Sequence, residues 1–230
     1  LKYYFCLFFI SFSLFSQSNF EKGEKLFVQK KYKEAKVYFN NNLEEHPSDL
    51  KTLEYLGDIA GIYKEWDEAI ECYENIKKQK PQNANYHYKY GGALGMKAKE
   101  SNKFAALGMI DDVENSFLTA VKLDKTHIDS RWALVMFYIE IPAIIGGSEK
   151  KAQVYSNELM QLSKVDGYLS KGYIDVYFKR YKNAEKNYLN AHKIGNSQIT
   201  FEKLYDLYLN KLNEKTKANQ LKENFNKKIG

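Results

Sequence analysis

The chain has 230 residues, 44% of them hydrophobic and 28% charged, with 3 Pro and 2 Cys. That composition excludes collagen-like, disordered and Pro-rich linker classes. Cys6 and Cys72, the only cysteines, exclude a disulfide-stapled scaffold and a Cys-based zinc site. Lys and Arg total 35 against 29 Asp and Glu, a net +6, but only Arg131 and Arg180 are arginines. The excess is diffuse lysine charge, not the planar forks that read phosphate or bases.

Residues 1–18 differ from everything after them. Lys2 precedes an apolar run from Tyr3 to Phe15, and Ser16-Gln17-Ser18 follows. A basic start, a hydrophobic stretch of about 7–15 residues and a small-residue exit describe a cleavable export signal. An uncleaved membrane anchor is the alternative, although a spanning helix needs about 20 apolar residues. Leu14-Phe15-Ser16-Gln17 is similar to export signals of flavobacteria and their relatives, which implies a periplasmic or secreted protein of a Gram-negative envelope. Phe5 ahead of Cys6 argues against a lipoprotein site. Cys72, alone in the mature chain, reads as a small buried hydrophobe.

Residues 19–230 carry a repeat. Gly23, Gly57 and Gly91 are spaced by 34 residues, and so are Ala35 and Ala69, Phe39 and Tyr73, and Pro47 and Pro81. Within a unit the apolar spacing is helical: Leu53, Leu56 and Ala60, then Ala69, Ile70, Tyr73 and Ile76. A small residue lets two helices approach, an aromatic fills the gap to the next pair, and proline ends the second helix. Asp67, Ser48 and Asp166 stand where helix caps are wanted. These columns, with Gly172 and Ala184/Tyr188 later, resemble the tetratricopeptide repeat, a helix-turn-helix unit. The resemblance implies an all-α, right-handed superhelical solenoid with units of about 19–49, 50–83, 84–127, 128–164 and 165–198, closed by a degenerate unit, 199–230.

The later units drift. About ten extra residues, Lys97 to Leu107, separate the paired helices of the third. In the fourth, Val135 replaces the small residue, which predicts looser packing there. Ala152 arrives late, after the apolar loop Ile141–Gly147. That loop either packs under its neighbour or projects as a docking knob. Residues 211–230 hold six Lys and two Glu, and Leu221, Phe225 and Ile229 recur every fourth position, as expected of a solvated cap. A lipid-touching amphipathic helix is the sharper alternative.

In tetratricopeptide arrays the first helix of each pair lines a concave groove. The resemblance implies groove positions at Phe20, Glu24, Phe27, Glu54, Asp58, Tyr88, Trp132, Met136, Ile139, Leu169, Tyr173 and Tyr177. The acidic first part disfavours anionic tails and favours a basic or apolar segment, and the aromatic second part suits peptide recognition. The near-neutral repeat body disfavours nucleic acid.

No enzyme is expected. His46, His87, His127 and His192 form no pair at ligand spacing, and Gly91–Gly95 lacks the strand of a dinucleotide turn. Asp111, Asp112 and Glu114 read as a first helical turn, and His127 as part of an inter-repeat turn. The expectation is a non-catalytic protein- or peptide-binding adaptor of the cell envelope, with no cofactor or metal and with oligomeric state open. A self-associating structural subunit and membrane-surface attachment through the Lys-rich tail are the alternatives.

Overall fold

The computed structural model describes residues 17–229, with side chains to residue 227. The expected export signal therefore lies outside the described residues, apart from Gln17 and Ser18. What is described is all-α and falls into two compact units that divide between Glu65 and Trp66.

The first unit holds α1 (Asn19–Val28), α2 (Tyr32–Glu45) and α3 (Leu50–Ile62). Ser18 begins α1 with a reciprocal capping box to Glu21. The helices α1 and α2 form a hairpin whose crossing point is Gly23, where a Cβ would lie 2.7 Å from the Phe39 ring. The expected Ser48 cap is a correction: Asp49 caps α3, accepting from the Lys51 N–H. The same carboxylate accepts from Asn42 at 2.9 Å and from Thr52 at 2.7 Å, tying the end of α2 to the start of α3.

The second unit runs α4 (Trp66–Gln79), α5 (Ala84–Glu100), α6 (Lys103–Leu107), α7 (Ile110–Leu123), α8 (Ile128–Glu140), α9 (Glu149–Leu162), α10 (Lys164–Tyr177), α11 (Tyr181–Gly195), α12 (Gln198–Asp206) and α13 (Lys215–Ile229). A 3-10 turn, Ala143–Ile145, precedes α9, and a π turn, Leu207–Lys211, follows α12. The pairs α5/α7, α8/α9 and α10/α11 are hairpins, and each second helix also packs on the first helix of the next pair. The ten-residue insertion lengthens α5 and adds α6. Asp67 and Asp166 lie in first turns, and Ser163 caps α10.

Val135 does not loosen its hairpin. It is fully buried in one cluster with Ala152 and Leu159. Ser156, four residues after Ala152, stands where the other hairpins carry an aromatic, and it bonds to Ser170 at 2.7 Å. The larger residue here sits on the first helix and the smaller one on the second, conserving volume. In α10/α11 the usual arrangement returns, and a Cβ on Gly172 would sit 2.2 Å from the Tyr188 ring.

Three helix ends share a backbone feature that the residue types conceal. Lys30, Lys64 and Lys179 are left-handed, at φ 61°, 61° and 57°. After each, the next N–H bonds five residues back: Lys31 to Leu26 at 2.9 Å, Glu65 to Ala60 at 2.8 Å and Arg180 to Asp175 at 2.8 Å. This is a Schellman ending with lysine at the position glycine normally takes.

The last helix is a cap. Ala218 and Phe225 are buried, Leu221 joins the terminal core cluster, and Phe225 stacks on Phe201 at 4.4 Å. The apolar side of α13 is thus spent on packing, which removes the basis for the Lys-rich tail as a lipid-binding helix.

Candidate functional site

The first helices of the hairpins carry the predicted binding positions, and each unit presents its own set. In the first unit the aromatic members are not free: Phe20 and Phe27 pack on Phe39 and Tyr55, with Phe27 and Tyr55 at 4.8 Å and Phe39 stacked on Tyr55 at 4.9 Å. The acidic members act on one hydroxyl. Tyr55 Oη donates to Glu24 Oε1 at 2.9 Å, and the charges of Glu24, Asp58 and Glu54 all act on that hydroxyl. Burial first, then this bond and these charges, push the Tyr55 hydroxyl up to about 12. Tyr55 is not among the predicted positions; its place three residues before Asp58, on the same face of α3, was the available signal.

In the second unit α8 lies between α5 and α10, touching both. Trp132 Nε1 donates to Asp166 Oδ1 at 2.8 Å, and Tyr173 Oη donates to Glu140 Oε1 at 2.5 Å. Lys99 of α5 also pairs with Glu140 at 2.5 Å. Three successive first helices are therefore cross-linked by side chains. The aromatic planes of Trp132 and Tyr173 are held in fixed positions, half-buried against the core. Burial, with the Glu140 bond and charge behind it, drives the Tyr173 hydroxyl well above the usual tyrosine range.

Around these anchors the face is open. Met136 and Tyr177 are exposed at 38% and 49%, and a Cβ on Gly92 would meet no atom within 4 Å. Tyr88 is a packing residue as much as a surface one, its ring 5.5 Å from His127 and 6.1 Å from Phe117. Two predicted positions are corrections: Ile139 and Leu169 are buried. The pitch of α8 and α10 turns them into the two core clusters.

The other chemistry-bearing residues have structural partners. His127 caps α8 through Nδ1, which accepts from the Ser130 N–H at 3.1 Å. Asp111 and Asp112 open α7, and Glu114 accepts from Tyr138 and Lys151. Cys72 is buried. Among the described residues no group of three or more His, Cys, Asp or Glu is placed to hold a metal ion. The face can therefore offer shape, apolar contact and hydrogen bonds.

No known protein-family model and no curated protein matches this chain. Solved structures do. TTC0263, a thermophilic tetratricopeptide protein of Thermus thermophilus, is similar at 14% identity and a TM-score of 0.67 over 83% of this chain and 97% of its own. PilW, a type IV pilus biogenesis factor, is similar at 13% identity and a TM-score of 0.66 over 90% of each chain. The human IFIT1 dimer with m7Gppp-AAAA is similar at 20% identity and a TM-score of 0.69, over 92% of this chain but only 52% of that one. At these identities the likeness concerns the fold, and the fold is that of a helical hairpin repeat.

Proposed function

We propose that this chain, which has the tetratricopeptide-repeat fold, is a non-catalytic adaptor that holds an extended peptide or protein segment across α5, α8 and α10. The observation that carries this reading is the fixing of Trp132 and Tyr173 by Asp166 and Glu140 beside the exposed Met136 and Tyr177. Rigid aromatic anchors next to adaptable apolar side chains lose little entropy when a ligand lands on them. The acids around Tyr55 give the first unit a separate face, suited to a basic or apolar segment.

Nucleic acid is a poor fit. Arg131 is buried and bonded to Glu158 at 2.8 Å, and Arg180 is held by Glu149 and Asp175 at 2.7 and 2.8 Å. Both guanidinium forks are engaged within the fold. Export to the envelope forms part of this proposal and rests on the apolar run from Tyr3 to Phe15; among the described residues no helix is long and apolar enough to cross a membrane.

The test is capture by the tagged full chain from a native envelope fraction, with mass spectrometry. Met136→Asp and Tyr177→Ala alter exposed positions, so the fold survives, and they should abolish capture together with Trp132→Ala/Tyr173→Ala. A partner retained by all of these variants would sink the adaptor face, and recovery of the chain alone would favour self-assembly.

A further inference from the structure

The residue that follows the repeat's small position (Val135 in α8) stands on the open face of each first helix: Glu24 on α1, Asp58 on α3, Met136 on α8 and Tyr173 on α10. On α5 that place belongs to Gly92. A Cβ there would meet no atom within 4 Å, so α5 leaves a notch where its counterparts carry a side chain. Tyr88 and Met96 stand four residues before and after Gly92, on the same face. On the neighbouring α8, Trp132 and Met136 hold the places that Tyr88 and Gly92 hold on α5, and Tyr88 and Trp132 pack against one core cluster. Two aromatic rings and two thioethers therefore border the notch.

The charges of this face are engaged within the fold, with one exception. Lys89 Nζ lies over the Tyr73 ring at 5.6 Å. Lys99 pairs with Glu140 at 2.5 Å, Glu140 also takes Tyr173, and Glu100 takes the Trp66 indole at 2.8 Å. Asp166 is bonded to Trp132, and Asp124 and Lys125, in the turn before α8, offset each other. The exception is Asp129, exposed in the first turn of α8 and three residues before Trp132 on the same face. Asp129, Glu140 and Asp166 outnumber Lys89 and Lys99, so the face is acidic at the start of α8 and neutral around the notch. A charged side chain entering the notch would lose water without gaining a countercharge. An aliphatic one gains contact with the rings and the thioethers. A cation over the Trp132 ring finds the carboxylates of Asp129, on that ring's own face of α8, and Asp166, bonded to its indole N–H.

Resting on the adaptor reading, we infer that the notch above Gly92 receives a bulky aliphatic side chain of the bound segment, and that a lysine or arginine beside it in that segment reaches Asp129 across the Trp132 ring. The partner is a peptide stretch that pairs a basic residue with a bulky aliphatic one. Gly92 sets the aliphatic preference by leaving space, and Asp129 sets the basic one by charge.

The probe is a library of random dodecapeptides displayed on phage and selected on the immobilised full chain, the selected sequences then being measured as free synthetic peptides. They should carry Leu, Ile or Met beside Lys or Arg. Gly92→Leu builds a side chain into the notch, where a Cβ meets open space, and should weaken these peptides at least about tenfold with a thermal melt no lower than wild type. Gly92→Ala should weaken them less. Asp129→Lys, at an exposed position, should weaken them about fivefold and, in a fresh selection, replace the basic residue by Asp or Glu. Tyr173→Ala/Tyr177→Ala reports on the adaptor face itself. Peptides lost with that pair but bound equally by wild type, Gly92→Leu and Asp129→Lys would overturn the inference and leave the adaptor face standing. Peptides indifferent to every variant, or no enrichment at all, would overturn both. A wild-type dimer that Gly92→Leu converts to monomer would also overturn the inference, since a second copy would then fill the notch.

Discussion

Trp132 of α8 donates its indole N–H to the carboxylate of Asp166 on α10, and the two residues are 34 positions apart, one repeat period. The same register recurs as Trp66 with Glu100 at 34 residues and Glu140 with Tyr173 at 33. A period that is abstract in the sequence becomes a physical neighbour relation, because each hairpin lies against the next and equivalent positions meet. Asp166→Asn should keep the shape and weaken the charged acceptor, lowering stability by about 1 kcal/mol, whereas Trp132→Ala should cost about 3–5 kcal/mol through lost packing. Chemical denaturation midpoints check both.

Gly91 and Gly92 are adjacent on α5 and should respond oppositely to alanine. A Cβ on Gly91 would lie 2.8 Å from Ser116 Cβ, where the α5/α7 hairpin closes, while a Cβ on Gly92 meets open space. Gly91→Ala should destabilise by about 1–3 kcal/mol, and Gly92→Ala should stabilise by about 0.5–1 kcal/mol because alanine restricts the unfolded chain. Thermal melts that moved in the same direction would contradict the assigned faces.

Gly167 is a sharper case of the same contact. A Cβ there would be 2.4 Å from Met160 Cα, and backbone cannot rotate aside as a ring can. Gly167→Ala should cost at least about 3 kcal/mol, more than Gly91→Ala, read from the same unfolding curves.

The left-handed lysines invite the reverse change. Lys179→Gly should stabilise by about 0.5–1 kcal/mol, because relief of the left-handed backbone outweighs the extra freedom glycine gives the unfolded chain. Lys30→Gly should match it. Equal midpoints for wild type and both variants would refute the strain argument.

Alkaline pH should expose the buried hydroxyls. Tyr55 is pushed up to about 12, and Tyr138, Tyr173 and Tyr188 are also raised, by burial first. A group with a raised folded pKa favours the fold fully below its unfolded value, about 10 for tyrosine, and loses that contribution as pH climbs through the folded one. Stability should therefore fall from about pH 10 upward, and the phenolate absorbance of these tyrosines should appear late, with unfolding. Tyr55→Phe should remove part of the slope. A slope unchanged by that variant would rule out the role assigned to its hydroxyl.

The 34-residue columns and helical apolar spacing were enough to determine the helical hairpins, because glycine at a crossing and an aromatic opposite it are a steric requirement written in residue type. The sequence likewise placed Glu24, Glu54 and Asp58 on one acidic face. It did not reveal that their charges act on Tyr55, whose hydroxyl bonds to Glu24, since that bond depends on how α1 and α3 lie together. It put Ile139 and Leu169 on the surface, and only the rotation of α8 and α10 against their neighbours sent them into the core. Val135 read as a defect until Ser156 was seen to vacate the matching space, a compensation between residues 21 positions apart that no single column records. The left-handed lysines were hidden because backbone conformation there is imposed by the closing hydrogen bonds at the end of each helix, against the preference of the residue itself. Apolar character at Phe104 and Ile144 was legible; that both side chains stand outward, 88% and 94% exposed, was decided only by the tertiary structure.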